Sequence, residues 1–324
     1  MGYDSRESRL PRTLIVGFGS SVVNHPEGSE SLSTFTAGQV RATLKDRDAW
    51  WTVLLVDPIA TPIVRRVARF GWITPNRLTL AAFLLGTGAA LSFWQATRPW
   101  LALGALLFHL SFMFDCMDGK VARLRGDGSA FGAWLDFICD RIKDLTCTAG
   151  LFGGQWAVTG DDYWLGLGAL VLFINMFRYL NGAQMTRVRE DMRAKMVTAR
   201  RAAGLDDGGE LRWLEESTDV IPAGATDDTS VADINGDFRA RYGRFIGLRN
   251  ALRRYRIRPH LVSGIEFQMF VFIVGPLTGQ AAIVTVATGA LLLLFEAGLI
   301  YKLWLSTRSF ERQMAGLRAS ATAG

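Results

Sequence analysis

Four aspartates carry the chemistry this sequence offers. Asp115 and Asp118 lie three residues apart, so on a helix they share a face, and Ala122 sits one turn further along it. Gly132, Asp136 and Asp140 recur every four residues and make a stripe on a following helix. The short stretch Leu124–Ala130 between them predicts a tight turn, which makes the two helices antiparallel neighbours and brings the four carboxylates together. Hard oxygen donors in this number suit Mg²⁺, Mn²⁺ or Ca²⁺. Two such ions would bridge a diphosphate and stabilise a departing phosphate. Gly119, Ala122 and Gly132 have almost no side chain and leave room for a nucleotide against the backbone. Small residues also serve helix packing in membranes, but packing has no need of carboxylates. Lys120, Arg123, Arg125, Arg141 and Lys143 can pair some of the acids, yet pairing does not explain why the acids line up on facing stripes.

The elements that hold these residues are apolar. The chain has 324 residues, 49% of them hydrophobic, and a mean hydropathy of +0.18. Its apolar residues gather in stretches of about 20, long enough to cross a hydrocarbon layer about 30 Å thick. Six spans are predicted near 76–97, 99–122, 131–154, 162–182, 262–279 and 281–304, with Pro75 suited to the first turn of the first. A carboxylate at the bilayer centre costs about 2.5–3.5 kcal/mol or more, so acids grouped at membrane depth read as functional.

The formal charge is +6, and the excess Lys and Arg fall between the spans. With the N-terminus inside, the inner segments hold Arg65, Arg66, Arg69, Arg123, Arg125, Arg187, Arg189, Lys302, Arg308 and Arg312. The outer loops hold Arg98, Asp161 and Asp162. This asymmetry predicts cytoplasmic termini and a multi-pass protein of the plasma membrane. No helix-turn-helix or zinc spacing accompanies the charge, so nucleic acid is not an expected partner. Cys116, Cys139 and Cys147 form no C-x-x-C pair and lie in apolar segments, which predicts core thiols rather than disulfides. No secretory leader is read at the N-terminus, and Arg6 stands where a myristoylation motif wants Ser or Thr.

The expected fold class is an all-α integral membrane protein of six transmembrane helices with an N-terminal interfacial amphipathic helix. Residues 1–48 read as a cytoplasmic extension with a short helix from Thr36 through Val40 to Leu44, residues 49–305 as the membrane domain, and residues 306–324 as a tail. Within 50–73, apolar residues three and four apart face Arg65, Arg66 and Arg69, as in a helix lying in the membrane surface. Residues 183–203 continue the fourth span as a basic helix. An insert at about 204–237 is rich in Gly, Asp and Thr, and 238–258 is again basic. Those arginines serve anionic headgroups, or one or two grip a phosphorylated substrate.

Other residues carry weaker signals. Asn76, at the start of the first span, either touches a nucleotide or serves the helix start. Arg178, near the inner end of the fourth span, is a candidate for an acceptor phosphate. Glu266 has either a substrate or a structural pairing role; Glu296 pairs with Lys302 or lies in a polar seam. His109, six residues before Asp115, points to a different face and reads as packed.

The pattern D-x-x-D-G-x-x-A-R, eight residues, then G-x-x-x-D-x-x-x-D resembles the signature of the CDP-alcohol phosphotransferase family. Asp115, Asp118, Gly119, Ala122, Arg123, Gly132, Asp136 and Asp140 fill its eight fixed positions. The resemblance covers about 60–305 and leaves out 1–48; the 204–237 insert is longer than the family usually carries. It implies attack by an acceptor hydroxyl on the β-phosphorus of a CDP-alcohol, with release of CMP, in phospholipid synthesis. Asp115, Asp118 and Asp136 would be the main ligands of Mg²⁺ or Mn²⁺, with two ions expected. Asp140 would be the general base and a further ligand. Gly119, Ala122, Arg123 and Gly132 would line the CDP site, with Asn76 beside them. The donor would be CDP-diacylglycerol or another CDP-alcohol, the acceptor an alcohol or polyol phosphate, and the assembly a homodimer.

Two other readings use the same acids. An aspartate-rich membrane prenyltransferase would also bind a diphosphate through metal, but leaves Gly119, Ala122, Arg123 and Gly132 unexplained. A divalent-cation transporter needs acids continuing toward the midplane, where only Glu296 stands.

Overall fold

The computed structural model describes residues 35–202, 255–258 and 262–323. Expectations for residues 1–34, for the 204–237 insert and for the arginines from 239 to 254 lie outside the described residues. The described residues belong to one unit that begins at Thr34.

Its helices start and stop where local chemistry allows. In α1 (Ala37–Ala42), Thr36 and Gln39 cap each other reciprocally. A π turn at Thr52–Val56 leads into α2 (Asp57–Val67). Thr74 caps α3 (Pro75–Trp94), with Pro75 at its first position. α4 (Arg98–Arg125) ends at Gly126, whose φ of +71° favours glycine. The Ser129 hydroxyl then caps α5 (Ala130–Thr148), accepting from the Gly132 N–H at 2.9 Å. A π turn at Ala149–Gly153 carries α5 into α6 (Gly154–Thr159). α7 (Tyr163–Ala202) is 40 residues long. α8 (Gly264–Met269), a π turn at Phe270–Val274 and α9 (Gly275–Thr278) form one continuous run before α10 (Ala281–Ala323).

The fold is all-helical among the described residues, with one isolated β-bridge between Asp48 and Ile257. Helices stand at all six positions predicted for spans. Four of them, α3, α4, α7 and α10, are long and apolar enough to cross a membrane. The other two fall short for identifiable reasons. α5 carries Asp136, Asp140, Arg141, Lys143 and Asp144 within its length, and the run 264–278 is short.

α3 is the spine of the bundle. It packs along both α4 and α5, while α7 packs on α10. α4 and α5 make far more of their backbone contact with α3 than with each other, which corrects the expectation that the two aspartate helices are direct neighbours. The reason lies in small residues where the π turn after α5 and the start of α6 meet α3. A Cβ on Gly150 would fall 2.3 Å from the Ala90 carbonyl oxygen, and one on Gly154 would fall 2.6 Å from that of Trp94. Backbones can approach that closely only where a side chain is missing. The core behind the seam is aromatic: Phe108 and Phe93 lie 4.8 and 6.2 Å from Phe272.

The segment from Phe35 to Asp48 is part of this body, not an appendage ending at 48. Val40 is buried. The Phe35 carbonyl accepts from Arg65 Nε at 3.1 Å, and Asp48 pairs through its backbone with Arg256 and Arg258. Along the π turn and α2, Val56, Ala60 and Val64 face inward while Leu54, Leu55 and Ile59 are exposed, so apolar residues lie on both sides. Asp57 at its start is buried and forms ion pairs with Lys120 at 2.8 Å and Arg256 at 3.3 Å. Arg125 bonds the carbonyls of Ala68, Phe70 and Ile73 beyond the end of α2. Neither Lys120 nor Arg125 therefore serves the site aspartates. All three cysteines are free thiols.

Candidate active site

Three of the four aspartates converge. Asp115 on α4 and Asp136 and Asp140 on α5 each offer a carboxylate oxygen, and these oxygens lie within 4.8 Å of one another. Asp118 stands outside that trio. It is buried, and its Oδ2 accepts from the Thr79 hydroxyl of α3 at 2.5 Å. Asp136 Oδ1 is buried with no hydrogen-bond partner among the described residues. A buried acceptor left without a donor is costly, and a cation satisfies it. All donors here are hard carboxylate oxygens, so the set fits Mg²⁺ or Mn²⁺.

The spine helix reaches every part of the site. Asn76, in the first turn of α3, lies over Gly132 at the start of α5. A Cβ on Gly132 would sit 2.8 Å from Asn76 Oδ1 and 3.1 Å from Ser129 Oγ. One turn on, Thr79 holds Asp118 of α4. Further along, Gly86 faces the stem of Lys143 on α5, and the Ser111 hydroxyl of α4 donates to the Ala82 carbonyl at 2.6 Å. Site geometry is thus set by α3, which contributes no acid of its own.

On α4, Gly119 lies under the Arg123 guanidinium; a Cβ there would meet its Nη1 at 3.2 Å. Arg123 Nε donates to the Thr43 carbonyl at 2.9 Å, so this arginine is partly spent on the N-terminal segment. Ala122 is partly buried on the last turn of α4. Asn76 thus lies against Gly132 on α5, and Arg123 covers Gly119 on α4.

Cations flank the trio on the α5 side. Lys143 Nζ is 2.7 Å from Asp140 Oδ1 and 3.5 Å from Asp115 Oδ1. Arg141 Nη2 is 3.8 Å from Asp140 Oδ2 and donates to the Tyr179 hydroxyl at 2.5 Å, while its Nη1 is 3.0 Å from Asp144. Asp144 also accepts from Gln268 Nε2 at 2.6 Å. Both the Arg141 and Arg178 guanidinium carbons lie over the Tyr179 ring, at 3.6 and 4.2 Å. Arg178 also covers Gly264, where a Cβ would fall 2.1 Å from its Cζ, and its buried Nε has no hydrogen-bond partner among the described residues. Arg178 is therefore linked to the trio through two residues, Tyr179 and Arg141.

Glu266 takes the structural alternative. One carboxylate oxygen accepts from the Trp50 N–H at 3.1 Å and the other from the Ser263 N–H at 2.9 Å and its hydroxyl. With one oxygen in a capping box and the other on the Trp50 N–H, it is placed to fasten α8 to the start of the surface segment. Glu296 accepts from Asn181 at 2.8 Å in a polar seam between α7 and α10. His109 packs edge-on to Trp51 at 6.2 Å.

Sequence reasoning passed over Thr79, Asp144, Tyr179 and Asp57. Asp144 had a signal, since it extends the 132–136–140 stripe by one more helical turn. Thr79 and Tyr179 had none that spacing alone provides.

Over 93 residues the chain is 39% identical to a phosphatidylinositol phosphate synthase of Mycobacterium tuberculosis, an alignment covering 29% of this chain and 42% of the relative. It is 41% identical over 149 residues to a bifunctional IPC transferase and DIPP synthase of Aquifex aeolicus, covering 45% and 32%. The chain thus spans less than half the length of these curated relatives. A crystal structure of the Mycobacterium tuberculosis phosphatidylinositol phosphate synthase in complex with manganese and citrate aligns at 21% identity over 76% of this chain and 89% of that one, with a TM-score of 0.35. Another, with CDP-DAG bound, aligns at 20% identity with a TM-score of 0.34. Residues 72–204, which include α3, α4, α5 and all eight signature positions, match the family model of the CDP-alcohol phosphatidyltransferases.

Proposed function

We propose that the protein transfers a substituted phosphate, phosphatidyl in the leading reading, from a CDP-alcohol such as CDP-diacylglycerol to an acceptor alcohol, and releases CMP. The observation that carries this is the convergence of the Asp115, Asp136 and Asp140 carboxylates, on the two helices that carry Gly119, Ala122 and Gly132 at the signature spacing. Acids supply a metal site, and small residues on the same helices leave room for a nucleotide. Neither the prenyltransferase nor the transporter reading has a use for those small residues.

Asp115, Asp136 and Asp140 would hold Mg²⁺ or Mn²⁺, with Asp118 completing the set and two ions as the expected number. Bound there, the metal supplies charge neutralisation for the diphosphate and for the phosphate that leaves with CMP. The chain's own residues do the rest. Asn76, Gly119, Ala122 and Gly132 seat the cytidine end, and Arg123 offers its guanidinium nitrogens to phosphate. Asp140, steadied by Lys143, accepts the proton of the acceptor hydroxyl. The hydroxyl oxygen bonds to the β-phosphorus as that atom's bond to the bridging oxygen breaks. Arg141 and Arg178, both against the Tyr179 ring, favour an anionic acceptor such as a polyol phosphate, in keeping with the names of the mycobacterial relatives. In this reading all six helical segments cross the bilayer, α2 lies in its surface, both termini and the site face the cytoplasm at the plasma membrane, and the enzyme is a homodimer.

The test is CMP release by the purified protein from CDP-diacylglycerol, with a panel of polyols and polyol phosphates. Release should require Mn²⁺ or Mg²⁺, stop on chelation, and yield a lipid whose headgroup, read by mass spectrometry, is the acceptor. Asp140→Asn should lower the rate about 10²- to 10⁴-fold, the usual worth of a general base. Equal rates for the variant and the wild type would overturn the mechanism.

A further inference from the structure

Lys143 is the cation set deepest in the site's carboxylates among the described residues. It is buried, with a side chain 8% exposed, and its ammonium lies among the carboxylates proposed to hold metal. Its stem threads a notch that α3 provides: a Cβ on Gly86 would collide with Lys143 Cγ and Cδ at 2.8 Å. The wall of the notch is completed by the Ser111 hydroxyl, 3.3 Å from that same Cβ position, and by the Cys147 thiol, which donates to the Gly86 carbonyl at 3.4 Å. The lysine is thus steered from α5 toward Asp115 on α4 and Asp140 on its own helix by a gap in a third.

We propose that Lys143 is a positioning residue that acts as a tethered internal cation: it holds the site carboxylates together when metal is absent and competes with the metal for Asp140 and Asp115. This inference rests on the metal-bound reading above. Three carboxylates with ligand oxygens within 4.8 Å repel one another strongly in surroundings of low dielectric. A covalently attached ammonium 2.7 Å from one and 3.5 Å from another offsets that repulsion without any ion from solution. A metal that takes the same oxygen of Asp140 must displace a charge-assisted hydrogen bond. Lys143 would therefore set metal affinity lower than the bare carboxylates would have, and keep the site assembled between metal-bound states.

The experiment is an Mn²⁺ titration followed by electron paramagnetic resonance, on metal-stripped protein in detergent. It compares wild type, Lys143→Met and Lys143→Gln, with circular dichroism to verify folding. Both variants should bind Mn²⁺ about tenfold more tightly, the equilibrium equivalent of one charge-assisted hydrogen bond no longer lost. Their metal-free forms should melt at lower temperature and gain more from added Mn²⁺ than the wild type does. Should Lys143→Met not fold, Lys143→Gln, which keeps length and polarity, decides alone. Equal or weaker Mn²⁺ binding in a folded variant overturns the inference while leaving the metal site standing. No Mn²⁺ binding by the wild type overturns both.

Discussion

Thr79→Val is the sharpest probe of how the spine helix serves the site. Thr79 is 4% exposed and Asp118 is 7% exposed, so water cannot replace the contact between them. The Thr79 hydroxyl lies 2.5 Å from Asp118 Oδ2 and 3.2 Å from the Pro75 carbonyl. It has one proton, and the shorter, charge-assisted contact to the carboxylate takes it. Valine keeps the shape and removes the donor. A hydrogen bond to a charged acceptor is worth about 1.5–3 kcal/mol, which corresponds to roughly ten- to a hundredfold in an equilibrium constant. Losing a partner that orients a metal ligand typically costs the same range in metal affinity or activity. The assay is the Mn²⁺ concentration for half-maximal CMP release. Thr79→Val should raise it by about ten- to a hundredfold, while Thr79→Ser, which keeps the hydroxyl, should stay near wild type. An unchanged Mn²⁺ requirement in folded Thr79→Val would refute the claim that Thr79 orients Asp118 for metal.

Other outcomes follow from the same geometry. Asp57→Asn leaves the Lys120 ammonium buried without its 2.8 Å counter-ion and should destabilise by about 3–5 kcal/mol in chemical denaturation; replacing both members by apolar residues should restore much of that. Glu266→Ala removes acceptors from Trp50 and Ser263, so it should lower stability by about 1–2 kcal/mol while KM for the CDP-alcohol is unchanged. Gly150→Val drives a side chain into the Ala90 carbonyl and should cost about 1–3 kcal/mol by overpacking the seam between α3 and the π turn after α5, measured as a lower melting temperature.

The acids and small residues of the site were legible because helical spacing of three and four maps directly onto side-chain direction. Hydropathy likewise placed helices at all six positions, and Pro75, Gly126 and Ser129 mark their ends by conformational rules that act within a few residues. What spacing does not encode is which helix lies between two others. That depends on Gly150 and Gly154 meeting the backbone of α3, a contact between residues far apart in the chain. The same gap explains the misplaced cations. Lys120 and Arg125 look from their positions like partners for the aspartates, but Asp57 and the carbonyls after α2 reach them first. Asp57 itself, a charge at the head of an amphipathic helix, reads as solvated until Lys120 is known to lie beneath it. Two features were present and passed over: Asp144 one turn beyond Asp140, and the S-x-x-E capping box of Ser263 and Glu266.

The central claim is that Asp115, Asp136 and Asp140 hold the metal that CDP-alcohol cleavage requires. Its most direct test is anomalous scattering from crystals of the protein grown with Mn²⁺ and CDP-diacylglycerol. Manganese peaks should lie among the Asp115, Asp136 and Asp140 carboxylates, within about 2.0–2.3 Å of their oxygens, with the diphosphate against the same ions. Clear density for the nucleotide with no manganese peak at those carboxylates, or with manganese bound only elsewhere, would contradict it.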